Sequence, residues 1–289
     1  MATFDPARCV AIVGCGYVGC ALGRALVEAG CHVRGTTTTP GRVEELRAGG
    51  MEPALLDLRE SSRLHDLLQD RDACYLTVAP GSRSRDYREV YLDGARALAD
   101  AIVGTPVRRV VYTSSTRVYG QEDGRWVDED SPTEPADANG QALLEAERIL
   151  LALGHAAASG VRVTVLRLAG IYGPGRDFRA RITARAGEAR TDGDEFLNLI
   201  HVDDVAAVLA KLLSVEHHGV FTLADHEPLL RRELYDAVLR QAGQPPIRWM
   251  PPAVPPPRGK RVRNQRIKDA LNLTLRYPRS LAFLGHPTP

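Results

Sequence analysis

Lysine is almost missing from this chain. Lys211, Lys260 and Lys268 are its lysines, and arginine supplies the remaining basic side chains. Residues 1–210 therefore offer no lysine to act as a base or Schiff-base former. No apolar run reaches bilayer-spanning length, and the opening M-A-T-F-D-P-A-R lacks the apolar stretch of a secretion signal. Strong net charge is lacking too. With 37 basic and 36 acidic residues the balance is +1, so no global field draws the chain to nucleic acid or a membrane surface. The five cysteines (Cys9, Cys15, Cys20, Cys31, Cys74) contain no C-x-x-C pair, and their odd number suits no disulfide framework. Reduced, mostly buried thiols in a cytoplasmic protein are expected, and no metal site.

What is present is ordinary globular material, 44% hydrophobic and 25% charged, in a chain long enough for one large domain or two lobes. Short apolar runs alternate with helical patterns. Strands are expected at 9–13, 32–36, 52–57, 73–78, 108–113 and 161–168. Helices are expected at 18–29, 42–47, 61–69, 85–103 and 140–153. That rhythm predicts an α/β fold, a parallel sheet with helices on both faces. Beyond 172 the rhythm loosens to helices near 203–214 and 231–241 and a strand at 219–223. The Pro-rich 251–257 reads as a linker, followed by a basic tail, 258–268.

G-C-G-Y-V-G (14–19) follows the first strand and opens the first helix. In that context Gly14 permits the tight turn, Gly16 lets backbone approach a pyrophosphate, and Gly19 lets helix and strand pack closely. Gly14, Gly16, Tyr17, Val18 and Gly19 are the expected phosphate contacts, on a helix N-terminus with free N–H groups. The plainer reading is a tight turn whose glycines serve packing alone. The second strand ends R-G-T-T-T-T-P-G-R (34–42), without the acid that reads a ribose 2′-hydroxyl. Thr36, Thr37, Thr38 and Arg42 suit a 2′-phosphate, which points to NADP, with NAD as the alternative. Thr38 or Thr39 before Pro40 also reads as a helix cap.

Four motifs in order resemble the extended short-chain dehydrogenase/reductase family, the NAD(P)-dependent epimerases and dehydratases. They are the loop at 14–19, T-S-S-T-R-V-Y-G (113–120), L-R-L-A-G-I-Y-G-P-G (166–175) and I-H-V-D-D-V-A (200–206). The resemblance implies a Rossmann-type doubly wound parallel sheet over 1–172 and 198–225. A small C-terminal substrate lobe would then take 173–197 and 226–289. It implies adenine contacts at Asp57 and Leu58, and ribose contacts at Val78, Ala79 and Pro80. Thr113 and Ser114 would lie beneath the nicotinamide ribose, Leu168 and Ile171 near the nicotinamide. Ser115 matches the catalytic serine that holds the reacting oxygen; its alternative is a satisfied strand-end hydroxyl. His201, Asp203 and Asp204 match a helix start and read as caps and ties. A small-molecule substrate, often a nucleotide sugar, and homodimers through the helices near 85–103 and 140–153 are also implied.

The departures decide the chemistry. Val13 stands at the family loop's first glycine, and Asp93 at an asparagine that supports a proton relay. Aligned through L-L-E-A-E, the family's Tyr-x-x-x-Lys pair becomes Asn139 and Leu143. An asparagine amide is no general base, and leucine tunes no pKa. Tyr119, Glu122, Asp123, Tyr172 and Arg176 are the substitutes the sequence offers, each with a plainer reading as a packing or surface residue. Arg176 on the pocket rim and Arg263 in the basic tail are the expected substrate contacts. The expected activity is an oxidoreductase or epimerase acting on a sugar-like or hydroxylated anion. The alternative is a cofactor-binding regulatory or scaffold protein without turnover.

Overall fold

The computed structural model describes residues 8–80, 86–155, 160–251 and 258–281. The chain divides into two compact units. The first comprises Met1–Val118, Pro135–Arg167 and Val205–Phe221; the second comprises Tyr119–Glu134, Leu168–Asp204 and Thr222–Pro289.

The first unit is built on a seven-stranded parallel sheet. Its strands are β1 (Cys9–Val13), β2 (His32–Thr37), β3 (Glu52–Leu55), β4 (Ala73–Leu76), β5 (Arg109–Ser115), β6 (Arg162–Leu168) and β7 (Gly219–Leu223). Their spatial order is β7-β6-β5-β4-β1-β2-β3. Between them run α1 (Tyr17–Glu28), α2 (Val43–Ala48), α3 (Ser61–Leu68), α4 (Gly94–Ala101), α5 (Ala138–His155) and α6 (Val202–Leu212). Val10, Ala11, Ile12 and Val13 are at most 1% exposed, as a central strand covered on both faces requires. The strand order reverses between β1 and β4. Ligands of open α/β sheets bind outside the carboxyl ends of the strands at such a point.

Most expected elements lie within a few residues of their predicted bounds, with instructive exceptions. The helix expected at 85–103 is a π-helical stretch, Arg88–Asp93, continuing into α4. The long loop after β5 holds a strand, Asp123–Val127, which pairs in parallel with Gly259–Val262 in the basic tail. That pairing carries residues 119–134 into the second unit, whereas the sequence reading kept everything to 172 in the first. The tail also contains a helix, Gln265–Leu271. Of the Pro-rich 251–257, residues 252–257 lie outside the described ones.

The second unit has its own core of Tyr172, Phe178, Ile182, Leu234, Val238, Leu239, Ile247 and Tyr277. Short pairings frame it: Gly170–Tyr172 with Leu199–His201 in parallel, and Phe196–Leu197 with Leu229–Leu230 antiparallel.

In the first unit, α5 is fixed by one buried ion pair. Its inward face carries Ala142, Leu143, Ala146, Glu147 and Leu150. Glu147 is 1% exposed and meets Arg167 of β6, 5% exposed, with Nη2 at 2.7 Å and Nε at 3.1 and 3.2 Å. The Glu147 carboxylate also accepts the Ser114 hydroxyl at 2.5 Å. Burial of both charges is tolerable only because the pair is bidentate and further hydrogen-bonded. Glu147→Ala should therefore lower stability by about 3–5 kcal/mol, since Arg167 is left charged and buried. The double variant Glu147→Leu, Arg167→Met should cost clearly less in urea unfolding. A double variant as unstable as the single one would show that packing, not the stranded charge, sets the penalty.

Candidate cofactor site and adjoining active site

The carboxyl ends of β1, β2 and β4 converge on Gly14. Its φ of +96° is a conformation that side-chained residues rarely adopt. A Cβ there would also lie 2.7 Å from the Val78 side chain and 2.9 Å from its backbone. The Gly14 N–H donates to the Thr36 hydroxyl at 2.9 Å, and the Thr77 hydroxyl donates to the Gly14 carbonyl at 2.8 Å. Cys15 N–H reaches the Thr36 carbonyl at 2.8 Å. Gly19 is packed against the same carbonyl, 2.6 Å from where its Cβ would stand. Gly16 has nothing within 4 Å of a Cβ position, so the loop presents bare backbone to open space. Gly16 is also the N-cap of α1, with no side-chain cap and no acid in the first turn. The N–H groups at the start of this 12-residue helix, from half-buried Tyr17 and Val18 onward, suit a pyrophosphate. A nicotinamide dinucleotide therefore fits this loop on its own geometry.

Of the expected ribose and adenine contacts, Thr36, Val78 and Arg42 touch the loop. Thr36 and Thr37 are buried, and Thr38 is exposed. Thr37 accepts the N–H of Thr39 at 3.2 Å, while Thr39 caps the next turn without a side-chain hydrogen bond. Arg42 reaches back to the loop: Nη1 donates to the Cys15 carbonyl at 2.8 Å, and Nη2 contacts the Cys20 sulfur at 3.2 Å. Asp57 is bidentate with Arg59, at 3.0 and 2.9 Å. Leu58 is buried; Val78 and Pro80 are half-buried, Ala79 exposed. No disulfide forms among the described cysteines. Burial pushes the Cys15 and Cys74 thiols up to about 12.

The residues expected at the reacting end stand on β5 and the start of α5, both in the first unit. The Thr113 hydroxyl donates to the Leu76 carbonyl at 3.3 Å, and Ser114 is held by Glu147. Half-exposed Ser115 accepts the Arg117 N–H at 3.2 Å, which leaves its own proton to donate. The Arg117 guanidinium grips Asp137, with Nη2 to Oδ2 at 2.5 Å. Asp137 in turn accepts the Gly140 N–H at 2.8 Å and so caps α5. Those bonds, Arg117's first, hold the Asp137 carboxyl below the usual carboxylate range. Asn139 is half-buried in that first turn, and Leu143 is buried one turn on.

Other expected participants are engaged elsewhere. Asp93 pairs with Arg96 at 3.2 Å on the outer side of its helix, 48% exposed. In the second unit the Tyr119 hydroxyl meets Thr222 at 3.0 Å in buried surroundings. Asp123 pairs with Arg125, and Tyr172 packs against Phe178 and His201. Leu168 is buried and Ile171 half-buried in the strand pair Gly170–Tyr172 with Leu199–His201 or just before it. Arg176 is exposed in the turn before Phe178–Thr183. Arg263 is exposed, 5.5 Å over the Trp126 ring, which Arg261 also covers at 5.1 Å.

The sequence pattern described as the NAD dependent epimerase/dehydratase family matches residues 10–224. The chain belongs to that family. Protein YeeZ of Escherichia coli K12 is 33% identical over 280 residues, 95% of this chain and 98% of YeeZ. A functionally unknown conserved protein from Silicibacter pomeroyi DSS is structurally similar, with a TM-score of 0.74 and 31% identity. The match covers 96% of this chain and 97% of that one. MoeE5, solved in complex with UDP-glucuronic acid and NAD, gives a TM-score of 0.79 at 25% identity, across 94% of this chain and 96% of its own.

Several neighbours of the motif residues are not legible in the sequence. Thr77 clamps Gly14, yet it reads as one more strand residue. Glu147 stood inside the aligning stretch L-L-E-A-E without its partner Arg167 being visible. Arg117 and Asp137 lie 20 residues apart and meet only in the fold. No group of three or more His, Cys, Asp or Glu able to hold a metal occurs among the described residues. None of the described helices is long and apolar enough to cross a membrane.

In the second unit two buried carboxylates grip the segment 276–280. Asp204 accepts the N–H groups of Arg276 and Tyr277 at 2.7 and 2.9 Å, and Asp225 accepts the Ser280 N–H and hydroxyl at 2.9 and 2.6 Å. Burial pushes the Asp225 carboxyl up to about 7, against the lowering pull of Ser280. A raised folded-state pKa means that Asp225 favours folding most below its unfolded value, about 4. That contribution is lost as pH rises through about 7. Exchange protection of the Ser280 amide should fall between pH 5 and 8 after correction for intrinsic rates, and Asp225→Asn should flatten the fall. Equal slopes in both proteins would remove Asp225 as the cause. At the loop, Gly19→Ala should cost about 1–3 kcal/mol through overpacking and weaken dinucleotide binding tenfold or more. Unchanged cofactor affinity would contradict the close-packing role.

Proposed function

We propose that this chain is an NADP-dependent oxidoreductase or epimerase-like enzyme acting on a sugar-like or otherwise hydroxylated anion. The observation that carries the reading is the bare-backbone loop at Gly14–Gly19 in the same unit as Ser115. Membership of the epimerase/dehydratase family and the UDP-glucuronic acid complex of MoeE5 support the substrate class. Arg42 beside the loop supports NADP over NAD. The cofactor, when bound, accepts or returns a hydride.

The chain's own residues do the rest. The Ser115 hydroxyl, oriented by the Arg117 N–H, donates to the substrate's reacting oxygen. With Asn139 and Leu143 at the family's Tyr-x-x-x-Lys positions, the proton is moved by another group. Asp137, held ionised by Arg117, is too weak a base for that step; it steadies the Arg117 turn that orients Ser115. Tyr119 and Asp93 are committed to Thr222 and Arg96, and receive no proton-transfer role. Arg176 and Arg263 are assigned to the substrate's negative charge. A homodimer through α4 and α5 in the cytoplasm belongs to the same reading.

Asn139 and Leu143 also favour a second reading, a dinucleotide-binding regulatory protein without turnover. Loss of general acid–base assistance costs roughly 10²–10⁴-fold in rate. NADPH and NADH fluorescence titrations, followed by absorbance assays with nucleotide sugars and carbonyl compounds, separate the two. The enzyme reading expects NADPH binding and slow turnover that falls tenfold or more in Ser115→Ala with unchanged NADPH affinity. Tight binding without turnover would leave the regulatory reading standing, and binding of neither dinucleotide would end both.

A further inference from the structure

The second strand ends without an acid, yet the fold brings one to its carboxyl end. Glu45, on the first turn of α2, takes Arg42 in a two-point grip: Nε to Oε2 at 2.9 Å and Nη2 to Oε1 at 3.0 Å. A guanidinium has five N–H donors. Here Nε is committed to Glu45, Nη2 to Glu45 and the Cys20 sulfur, and Nη1 gives one hydrogen to the Cys15 carbonyl. One N–H of Nη1 remains for a ligand. The guanidinium is nonetheless a third exposed, and Glu45 about half, so the pair faces solvent beside the phosphate loop.

A 2′-phosphate arriving here meets an arginine whose fork is already occupied by a carboxylate of like charge to itself. A 2′-hydroxyl meets that carboxylate as an acceptor, the role an acid at the strand end usually fills. We propose that Glu45 is a specificity-determining residue: it restrains Arg42 and supplies a hydroxyl acceptor, so that the ribose end of the site takes both NAD(H) and NADP(H), with the preference for the phosphorylated form tempered. Arg42 acts on the phosphate directly, and Glu45 acts largely through Arg42. Arg24, one helical turn beyond Cys20 on α1, is the other cation whose field reaches Glu45. The inference rests on the dinucleotide-binding reading given above.

The test uses the full chain. Dissociation constants for NADPH and NADH are measured by fluorescence for wild type, Glu45→Gln and Arg42→Gln, and those for 2′,5′-ADP and 5′-ADP by calorimetry. Glu45 is exposed and Arg42 half-buried, so unfolding midpoints of both variants are recorded alongside. In Glu45→Gln the NADPH-to-NADH affinity ratio should rise fivefold or more, through tighter NADPH and weaker NADH. In Arg42→Gln it should fall to about one. The nucleoside diphosphates should move in parallel, because the readout is a ratio at the 2′ position that a general loosening of the fold would not shift. A ratio unchanged in Glu45→Gln, with both cofactors still bound, overturns the role of Glu45 and leaves the dinucleotide-binding reading intact. Failure of wild type to bind any of the four ligands overturns both.

Discussion

Gly14 is the point on which the rest of the site depends. Its left-handed backbone turns the chain from β1 into α1 in the space left by Val78. Its amide and carbonyl are each taken by a threonine, Thr36 from the end of β2 and Thr77 from the end of β4. Three strand ends are thereby locked at the place where the sheet order reverses. Only with that lock does Gly16 face open space and α1 point an uncapped N-terminus outward. A side chain at Gly14 would push against backbone, which cannot yield as a flexible tip can.

A second constraint acts deeper in the same unit. Glu147, Arg167 and Ser114 tie α5, β6 and β5 through charge-assisted hydrogen bonds in a place almost closed to water. Such a group is costly to form and more costly to break, so it fixes one arrangement of the elements it joins. Above it, Arg117 and Asp137 join the end of β5 to the first turn of α5 at the surface. Screening by water makes that pair weaker. The lower tie holds the architecture, and the upper one, about half exposed, adds little to it.

The shortage of lysine gives this chemistry its character. Arginine stays charged at every relevant pH, so the cations here orient and neutralise but do not exchange protons. Arg42 and Arg117 each stand in a bidentate grip with a carboxylate. Proton movement in the proposed reaction therefore falls to other groups, and ligand discrimination to how tightly each arginine is already held.

The sequence by itself determined the alternating strands and helices and the glycine loop, because burial on both faces writes a continuous apolar run and a tight turn writes glycine. It also carried the family through four ordered motifs. It did not determine the partnerships. Glu45 lies eight residues past Thr37, on another element, and becomes a neighbour of the phosphate loop only when Arg42 folds back to Cys15. Glu147 and Arg167 are 20 residues apart and reveal their match only across a packed helix and strand. The basic tail shows no strand pattern along the sequence, yet Gly259–Val262 is a strand paired with Asp123–Val127. Local periodicity is set by neighbours along the chain and is legible there. Which charge meets which is set by distances that exist only once the tertiary structure has closed.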